Sequence, residues 1–438
     1  MTSRPPLPPG PWLVVGLARS GAAAARLLWS RGEPVICVDA GDPPEAAALR
    51  AEGMEVWTGV DGLRELERAR AVVKSPGVPP SAAVVARAVA TGIPVCGELE
   101  LGWRLLERPF VAVTGTNGKT TTVELLGEVW RAAARPVALA GNVGTPVTAL
   151  VDGVPAGATV ICEASSYQLH DAVAFAPEVG VILNLTPDHL PWHGTDQAYR
   201  AAKLRLFEHQ GTDGVAVGPR ELLAGAGGRA RRVTVGRDPA DDLAVRDGFL
   251  WWRGDRLIAL EELRLRGAHN AWNAAAAAAA SLASGIAAEP LLDALRGFAG
   301  VEHRLEDVRT IGGVAWVNDS KSTNVASTTV ALDAITAPVH LILGGQAKGQ
   351  DFTTLRGAVC ARAAAVYAIG EDAERIIDDL DGTVPLYASG DLERAVAAAR
   401  AAARSGEVVL LSPACASFDQ FADFEARGAA FKALVAAL

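Results

Sequence analysis

The chain has 438 residues, of which 41 are Lys or Arg and 50 are Asp or Glu, giving a formal charge of −9. That length suggests roughly three domains, and the acidic balance argues against nucleic acid as the main partner. Cys37, Cys96, Cys162, Cys360 and Cys415 are scattered with no Cys-x-x-Cys pair, which excludes a cysteine zinc module or a disulfide framework and fits a reducing compartment. Residues 1–10 hold no apolar signal core, and the alanine run 274–280 is too weakly apolar to span a bilayer. A cytoplasmic protein with no membrane partner is therefore expected.

In chain order, Trp12 opens an apolar run into a glycine turn, Gly16-Leu-Ala-Arg-Ser-Gly21, and an alanine-rich helix. Residues 34–39 read as a second strand ending in Asp39, where an acid would meet a ribose hydroxyl. The dinucleotide fingerprint is broken, because Ala18 stands at its second glycine. A strand from Ala71 ends in Lys-Ser75-Pro-Gly77-Val-Pro-Pro, which is either a plain proline turn or a ligand loop at a sheet edge.

The segment around which the chain is organised is residues 109–122. A short apolar run meets Gly115-Thr116-Asn117-Gly118-Lys119-Thr120-Thr121 and then a helix-periodic stretch. Strand, glycine loop and helix make a phosphate cradle. Backbone N–H groups and the helix N-terminus face the anion, Lys119 reaches the outer phosphates, and Thr120 serves Mg²⁺. The loop is shorter than the general P-loop pattern, with Val113 where that pattern has glycine. Asn142 lies in a second glycine loop, expected to lead into a helix. Glu163 ends a strand beside the phosphate loop, the place for a metal ligand. Asp188 and His189 end another strand. Lys203 lies on an amphipathic helix over residues 198–209, where periodicity alone reads it as solvated.

Residues 220–265 are weakly patterned. Asn270 and Asn273, three apart at the start of an alanine-rich helix, are either caps or ligands. A third α/β unit begins near Gly300. Its strand ending in Asn318-Asp-Ser-Lys-Ser-Thr-Asn324 concentrates polar groups at a sheet edge, which a core does not explain. Strands at 339–345, 365–370 and 408–411 follow, the last running into Ser412 to Phe421 and a C-terminal helix.

The ordered set of these motifs, with Glu163-Ala-Ser-Ser-Tyr-Gln-Leu169, Tyr199 to Lys203, His303-Arg304 and Leu411-Ser-Pro-Ala-Cys-Ala-Ser417, resembles the Mur ligases. Within them it is most similar to the branch that adds D-glutamate to UDP-N-acetylmuramoyl-L-alanine. The resemblance implies an α/β chain of three domains. These are an N-terminal Rossmann-like sheet (1–106) for the UDP substrate, a central P-loop ATPase-type parallel sheet (107–300) and a C-terminal Rossmann-like domain (301–438) for glutamate. It implies ATP, two Mg²⁺ ions, and an acyl phosphate attacked by the glutamate amine. Lys119, Glu163, His189 and Lys203 would be catalytic. Thr120, Glu163, His189 and a carbamylated Lys203 would hold metal. ATP would meet residues 115–121, Asn270, Asn273, Arg304 and Asp319. Arg19, Ser20, Asp39, Ser75, Gly77, Asn142 and His189 would hold the UDP substrate. Lys321, Thr323, Lys348, Ser417 and Phe424 would hold glutamate. The family is usually monomeric. Pro191 departs from the family pattern, which often has Asp there.

Other readings are a Mur-type ligase taking L-glutamate or another acceptor, as folylpolyglutamate synthetases do, a nicotinamide dehydrogenase built on the N-terminal turn, and a catalytically silent nucleotide-binding protein. Glutamate-dependent ADP release separates the ligases from the last two.

Overall fold

The computed structural model describes residues 4–265, 268–347 and 349–438, the side chains of Pro191 and Ala268 excepted. Gly267 and Lys348 lie outside the described residues. The chain forms two compact units, one of residues 1–263 with 271–298 and one of residues 264–270 with 299–438.

The first unit contains two sheets. Strands β1 (Trp12–Val15), β2 (Val35–Asp39), β3 (Glu55–Thr58), β4 (Ala71–Lys74) and β5 (Val95–Gly97) form a parallel sheet in the order β3-β2-β1-β4-β5. Chain order reverses between β1 and β4, so their C-terminal ends flank the crevice where such sheets bind ligands. The glycine turn after β1 and the Ser75–Gly77 turn after β4 both open there.

The second sheet has β6 (Phe110–Thr114), β7 (Val137–Gly141), β8 (Thr159–Glu163), β9 (Val179–Ile182), β10 (Val215–Gly218) and β11 (Arg231–Gly236). It is extended by β12 (Leu243–Arg246), β13 (Phe249–Trp252) and β14 (Asp255–Ala259), in the order β14-β13-β12-β11-β10-β9-β6-β8-β7. Strand β6 lies between β9 and β8 and is wholly buried, as its apolar run requires of a parallel strand covered on both faces. The sheet departs from an all-parallel one at its edge, where β12, β13 and β14 pair antiparallel. These three strands fall in the weakly patterned stretch of the sequence.

One helix serves both cores of this unit. In Glu98–Leu105 the side chain of Leu101 packs in the core of the first sheet, while Leu99 and Trp103 pack in that of the second, with Phe110 and Phe175. Polar ties follow the same path. The Lys74 ammonium lies 2.6 Å from the Asp171 carboxylate, both nearly inaccessible to solvent. Glu98 accepts from the backbone N–H and hydroxyl of Thr148 at 2.7 and 2.8 Å, and Glu100 from the N–H groups of Val173 and Ala174 at 3.1 Å.

The second unit has β15 (Glu306–Ile311), β16 (Val314–Asn318), β17 (Val339–Gly344), β18 (Ala363–Ile369), β19 (Leu386–Gly390) and β20 (Val408–Leu411), in the order β15-β16-β20-β17-β18-β19. All neighbours are parallel except β15 with β16. The fold is the three-sheet α/β architecture expected. Among the described residues no helix is long and apolar enough to cross a membrane.

Candidate active site

The glycine loop joins buried β6 to the helix Lys119–Ala132. Gly118 takes φ 87° at the helix start, and a Cβ there would run into the Asn273 side-chain amide, so close packing and backbone conformation both demand glycine. The loop is held from outside. Asn184 accepts from the Asn117 N–H at 2.9 Å and donates back to its carbonyl at 3.1 Å, and the Thr116 hydroxyl meets Tyr199 Oη at 2.9 Å. Lys119 folds over the loop and donates to the carbonyls of Gly115 and Thr116 at 3.0 and 2.9 Å. Thr121 is buried behind them.

Register sets Glu163 beside this loop, since β8 pairs with β6 so that Glu163 stands opposite Val113. One carboxylate oxygen accepts from the Thr120 hydroxyl at 2.8 Å and the other from the Asn142 amide at 2.9 Å. Asn142 follows β7, a strand not marked in the sequence, and its loop leads into a single 3₁₀ turn, Val147–Leu150, rather than the expected helix.

Lys203 is 2 % exposed, not solvated. Its helix, Asp196–Glu208, turns it inward to donate to the Gly115 carbonyl at 2.8 Å and, more distantly, to the Thr114 hydroxyl at 3.5 Å. Burial, then the nearby Lys119 ammonium, lower its pKa to about 7. A good part of this amine is thus unprotonated, and nucleophilic, near neutral pH.

His189 takes φ 53°, a left-handed conformation that a histidine adopts at some cost. Its imidazole lies 3.4 Å from the Asp188 carboxylate, and burial pulls its pKa down, leaving a neutral ring able to act as a ligand. Rings of Tyr167, Trp192, His193 and Tyr199 gather beside it. Tyr167 is 4.9 Å from His189 and stacks on His193, which is fixed to the Ser166 hydroxyl at 2.9 Å. Of this group, Tyr167 and Tyr199 fell inside quoted motifs, but Trp192 and His193 carried no separate signal.

In the first sheet, Asp39 accepts from the N–H groups of Leu17 and Gly41 at 2.6 and 2.8 Å, so it braces the glycine turn. Arg19, in that turn, reaches the Asn142 carbonyl at 3.4 Å, which links the first sheet's crevice to the loop carrying Asn142. Ser75 is buried against the same turn, Ser20 is half-buried and Gly77 exposed.

In the second unit, Asp319 follows β16 and is fully enclosed. It accepts from the Ser412 hydroxyl at 2.7 Å and the Leu305 N–H at 3.2 Å. Burial outweighs these bonds and the charge of Arg304, and raises its pKa to about 6. Lys321 lies 5.8 Å over the Phe424 ring, Thr323 gives its carbonyl to Gln350 at 3.3 Å, and Ser417 is buried. Asn270 in this unit and Asn273 in the first are both buried.

Among the described residues, the cluster whose ligand atoms lie within 4.8 Å of one another is Glu302, His303 and Glu306. Lys432 bonds both of those carboxylates and Asn318 bonds His303 at 2.9 Å, so this cluster already has its cation. Thr120 and Glu163, by contrast, offer neutral and anionic oxygens at the mouth of a phosphate cradle, the donors that Mg²⁺ takes.

Three family models match in chain order. They are the Mur ligase MurD-like N-terminal domain over residues 11–97, the Mur ligase middle domain over 113–281 and the Mur ligase glutamate ligase domain over 303–415. A UDP-N-acetylmuramoylalanine–D-glutamate ligase of Acidobacterium capsulatum is 42% identical over 441 residues, covering 97% of this chain and 96% of that one. The enzyme of that name from Frankia casuarinae is 44% identical, covering 98% and 94%. Among solved structures, UDP-N-acetylmuramate-alanine ligase MurC of Thermotoga maritima superposes with a TM-score of 0.62 at 19% identity, covering 98% of this chain and 99% of that one. MurF ligase of the same organism, in complex with ADP, gives 0.60 at 17%, covering 87% and 93%. Phosphate loop, strand-end glutamate, buried lysine and full-length likeness agree: the chain belongs to the Mur ligase family.

Proposed function

We propose that this chain joins D-glutamate to the carboxylate of UDP-N-acetylmuramoyl-L-alanine at the expense of ATP, through an acyl phosphate, in peptidoglycan precursor synthesis. The observation that carries the reading is the convergence of Lys119, the Thr120–Glu163 pair and the buried Lys203 on one glycine loop. The names of the full-length relatives supply the substrates and the D configuration.

Phosphoryl transfer asks the protein for positioning and charge neutralisation rather than covalent help. Lys119 swings from its two carbonyl partners to the transferring phosphoryl group. Residues 115–121 cradle the phosphates, Asn270 and Asn273 take the adenine side, and Arg304 and Asp319 the phosphates and ribose. Arg19, Ser20, Asp39, Ser75, Gly77, Asn142 and His189 hold the acceptor. Thr120 and Glu163 would hold one Mg²⁺, with His189 and Lys203 holding a second. Bound there, the ions would neutralise phosphate charge. Lys203 suits that role as a carbamate: its neutral amine adds to the carbon of CO₂ and loses a proton, which turns a cation into an oxygen ligand. Lys321, Thr323, Ser417 and Phe424, with Lys348, hold glutamate. Its amine attacks the acyl carbon, and phosphate leaves from the tetrahedral intermediate.

Domain boundaries near residues 106 and 300 and a cytoplasmic monomer complete this reading. The test is ADP release with ATP, Mg²⁺ and UDP-N-acetylmuramoyl-L-alanine. Release that needs D-glutamate supports the assignment. Release indifferent to glutamate, or requiring L-glutamate, rejects it.

A further inference from the structure

Arg427 is 1 % exposed, on the helix Phe424–Ala436, and it makes no ion pair among the described residues. Its donors go to neutral oxygens on the loops after β16 and β20 and at the last residue of β17. Nε donates to Ser320 Oγ at 2.9 Å, Nη2 to the carbonyls of Ser320 and Cys415 at 2.9 and 3.1 Å, and Nη1, at the limit of 3.5 Å, to those of Gly344 and Ala416. Strands β16, β20 and β17 are neighbours in the sheet, so these oxygens cluster at their C-terminal ends. The Ser320 hydroxyl passes the tie on by donating to the Phe424 carbonyl at 2.8 Å. Burial lowers the guanidinium pKa to about 10, so the cation persists at neutral pH.

A buried cation with no directly bonded carboxylate, and only Asp419 near enough to offset its charge, is costly, and a methionine of similar length would fill the space at less cost. Stability alone therefore gives a weak reason for arginine here. The geometry supplies a stronger one. The loops that leave these strand ends carry Lys321 and Thr323, Lys348, and Ser417, while its own helix starts with Phe424. On the functional reading above, these are the glutamate residues. No other side chain has the planar fork that reaches all three strand ends at once.

We propose that Arg427 is a positioning residue for the amino-acid substrate. It holds the ends of β16, β17 and β20, and the loops that leave them, in the one register that fits glutamate. It does not touch ATP or the acceptor.

The experiment compares full-length wild type, Arg427→Met and Arg427→Lys. Circular dichroism and thermal melting check folding, and ADP release is measured while each substrate is varied in turn. The expected result for Arg427→Met is a KM for D-glutamate raised roughly tenfold or more, with KM for ATP and acceptor and the kcat at saturating glutamate within about threefold of wild type. Arg427→Lys, which keeps the charge but not the fork, should fall between the two. A folded Arg427→Met with wild-type KM for glutamate, or with equal losses for all three substrates, overturns the proposal. If Arg427→Met does not fold, Arg427→Lys is read by the same criterion. A wild type with no glutamate-dependent release would instead remove the functional reading, so the two failures are distinguishable.

Discussion

Lys119 donates to the carbonyls of Gly115 and Thr116, bonds that lie within its own loop rather than in a core. Lys119→Ala is therefore expected to fold normally and to lose about 10²–10³ in kcat, the usual effect of removing one preorganised charge donor. Near-normal ADP release from the folded variant would remove Lys119 from the mechanism. For Lys203→Ala the expected outcome is inactivity partly restored by short carboxylic acids that enter the vacated space and replace the carbamate oxygen. No rescue by acetate or formate over a concentration series would count against a carbamate. Asp319 gives a stability test. Its folded pKa of about 6 lies above the unfolded 3.8, so between these values the folded state binds more protons and stability falls as pH rises. The full cost, on the order of 3 kcal/mol, is present above about pH 6 and absent below about pH 4. Urea unfolding of wild type against Asp319→Asn should show a difference that shifts in favour of the variant across that window and is flat above it. A pH-independent difference would mean that Asp319 titrates normally. Much of this was legible in the sequence, because loop glycines, strand-end acids and a lysine after Gly118 each have a local reason. Arg427 was not. An arginine on an amphipathic helix reads as solvated, and its carbonyl partners belong to loops some 11 to 107 residues away.

The elements divide along the same line. Strands β6, β8, β17 and β20 are buried and apolar, and they lie within a residue or two of where their patterns put them. Strands β3 and β7 escaped notice because they lie at sheet edges, β3 with mixed polarity and β7 short, alanine-rich and half-exposed at its start, and β5 because it has three residues. The short helix Ser166–His170 is specified locally. Ser165 and Gln168 close a capping box, and this fixes the chain directly after Glu163. The nucleotide helix has no side-chain cap and relies on Gly118. Gly118→Ala should cost at least about 1–2 kcal/mol for the left-handed backbone alone, and should weaken binding of an ATP analogue by displacing Asn273. Calorimetric titration with unchanged affinity would show that the Gly118–Asn273 contact is not needed for nucleotide.

For the molecule as a whole, three α/β domains, each with its own sheet, were expected in outline; the first two sheets fall in one compact unit, and how they are tied was not foreseen. Lys74 reads in sequence as the start of a proline turn, and Asp171 as an ordinary acid. Together they form a buried ion pair that removal of one partner would break. Lys74→Met should destabilise the first unit by about 3–5 kcal/mol, leaving Asp171 charged and buried, and lower its Tm by on the order of 10 °C. A double variant replacing Asp171 by Leu as well should recover a good part of this. A single variant that melts with wild type would mean that the pair is not a net tie.

The shared helix Glu98–Leu105 has a consequence for anyone dissecting the chain. A boundary at residue 106 follows the sheets, but cutting there would pull Leu99 and Trp103 out of the core around Phe110 and Phe175. It would also strip Val173 and Ala174 of the Glu100 carboxylate. An excised central piece would start with an open apolar wound and orphaned amides, and it should precipitate on expression. The smallest soluble fragment bearing the phosphate loop would instead begin at the amino terminus. In this chain the first sheet is not a detachable module: it is part of what lets the second sheet fold.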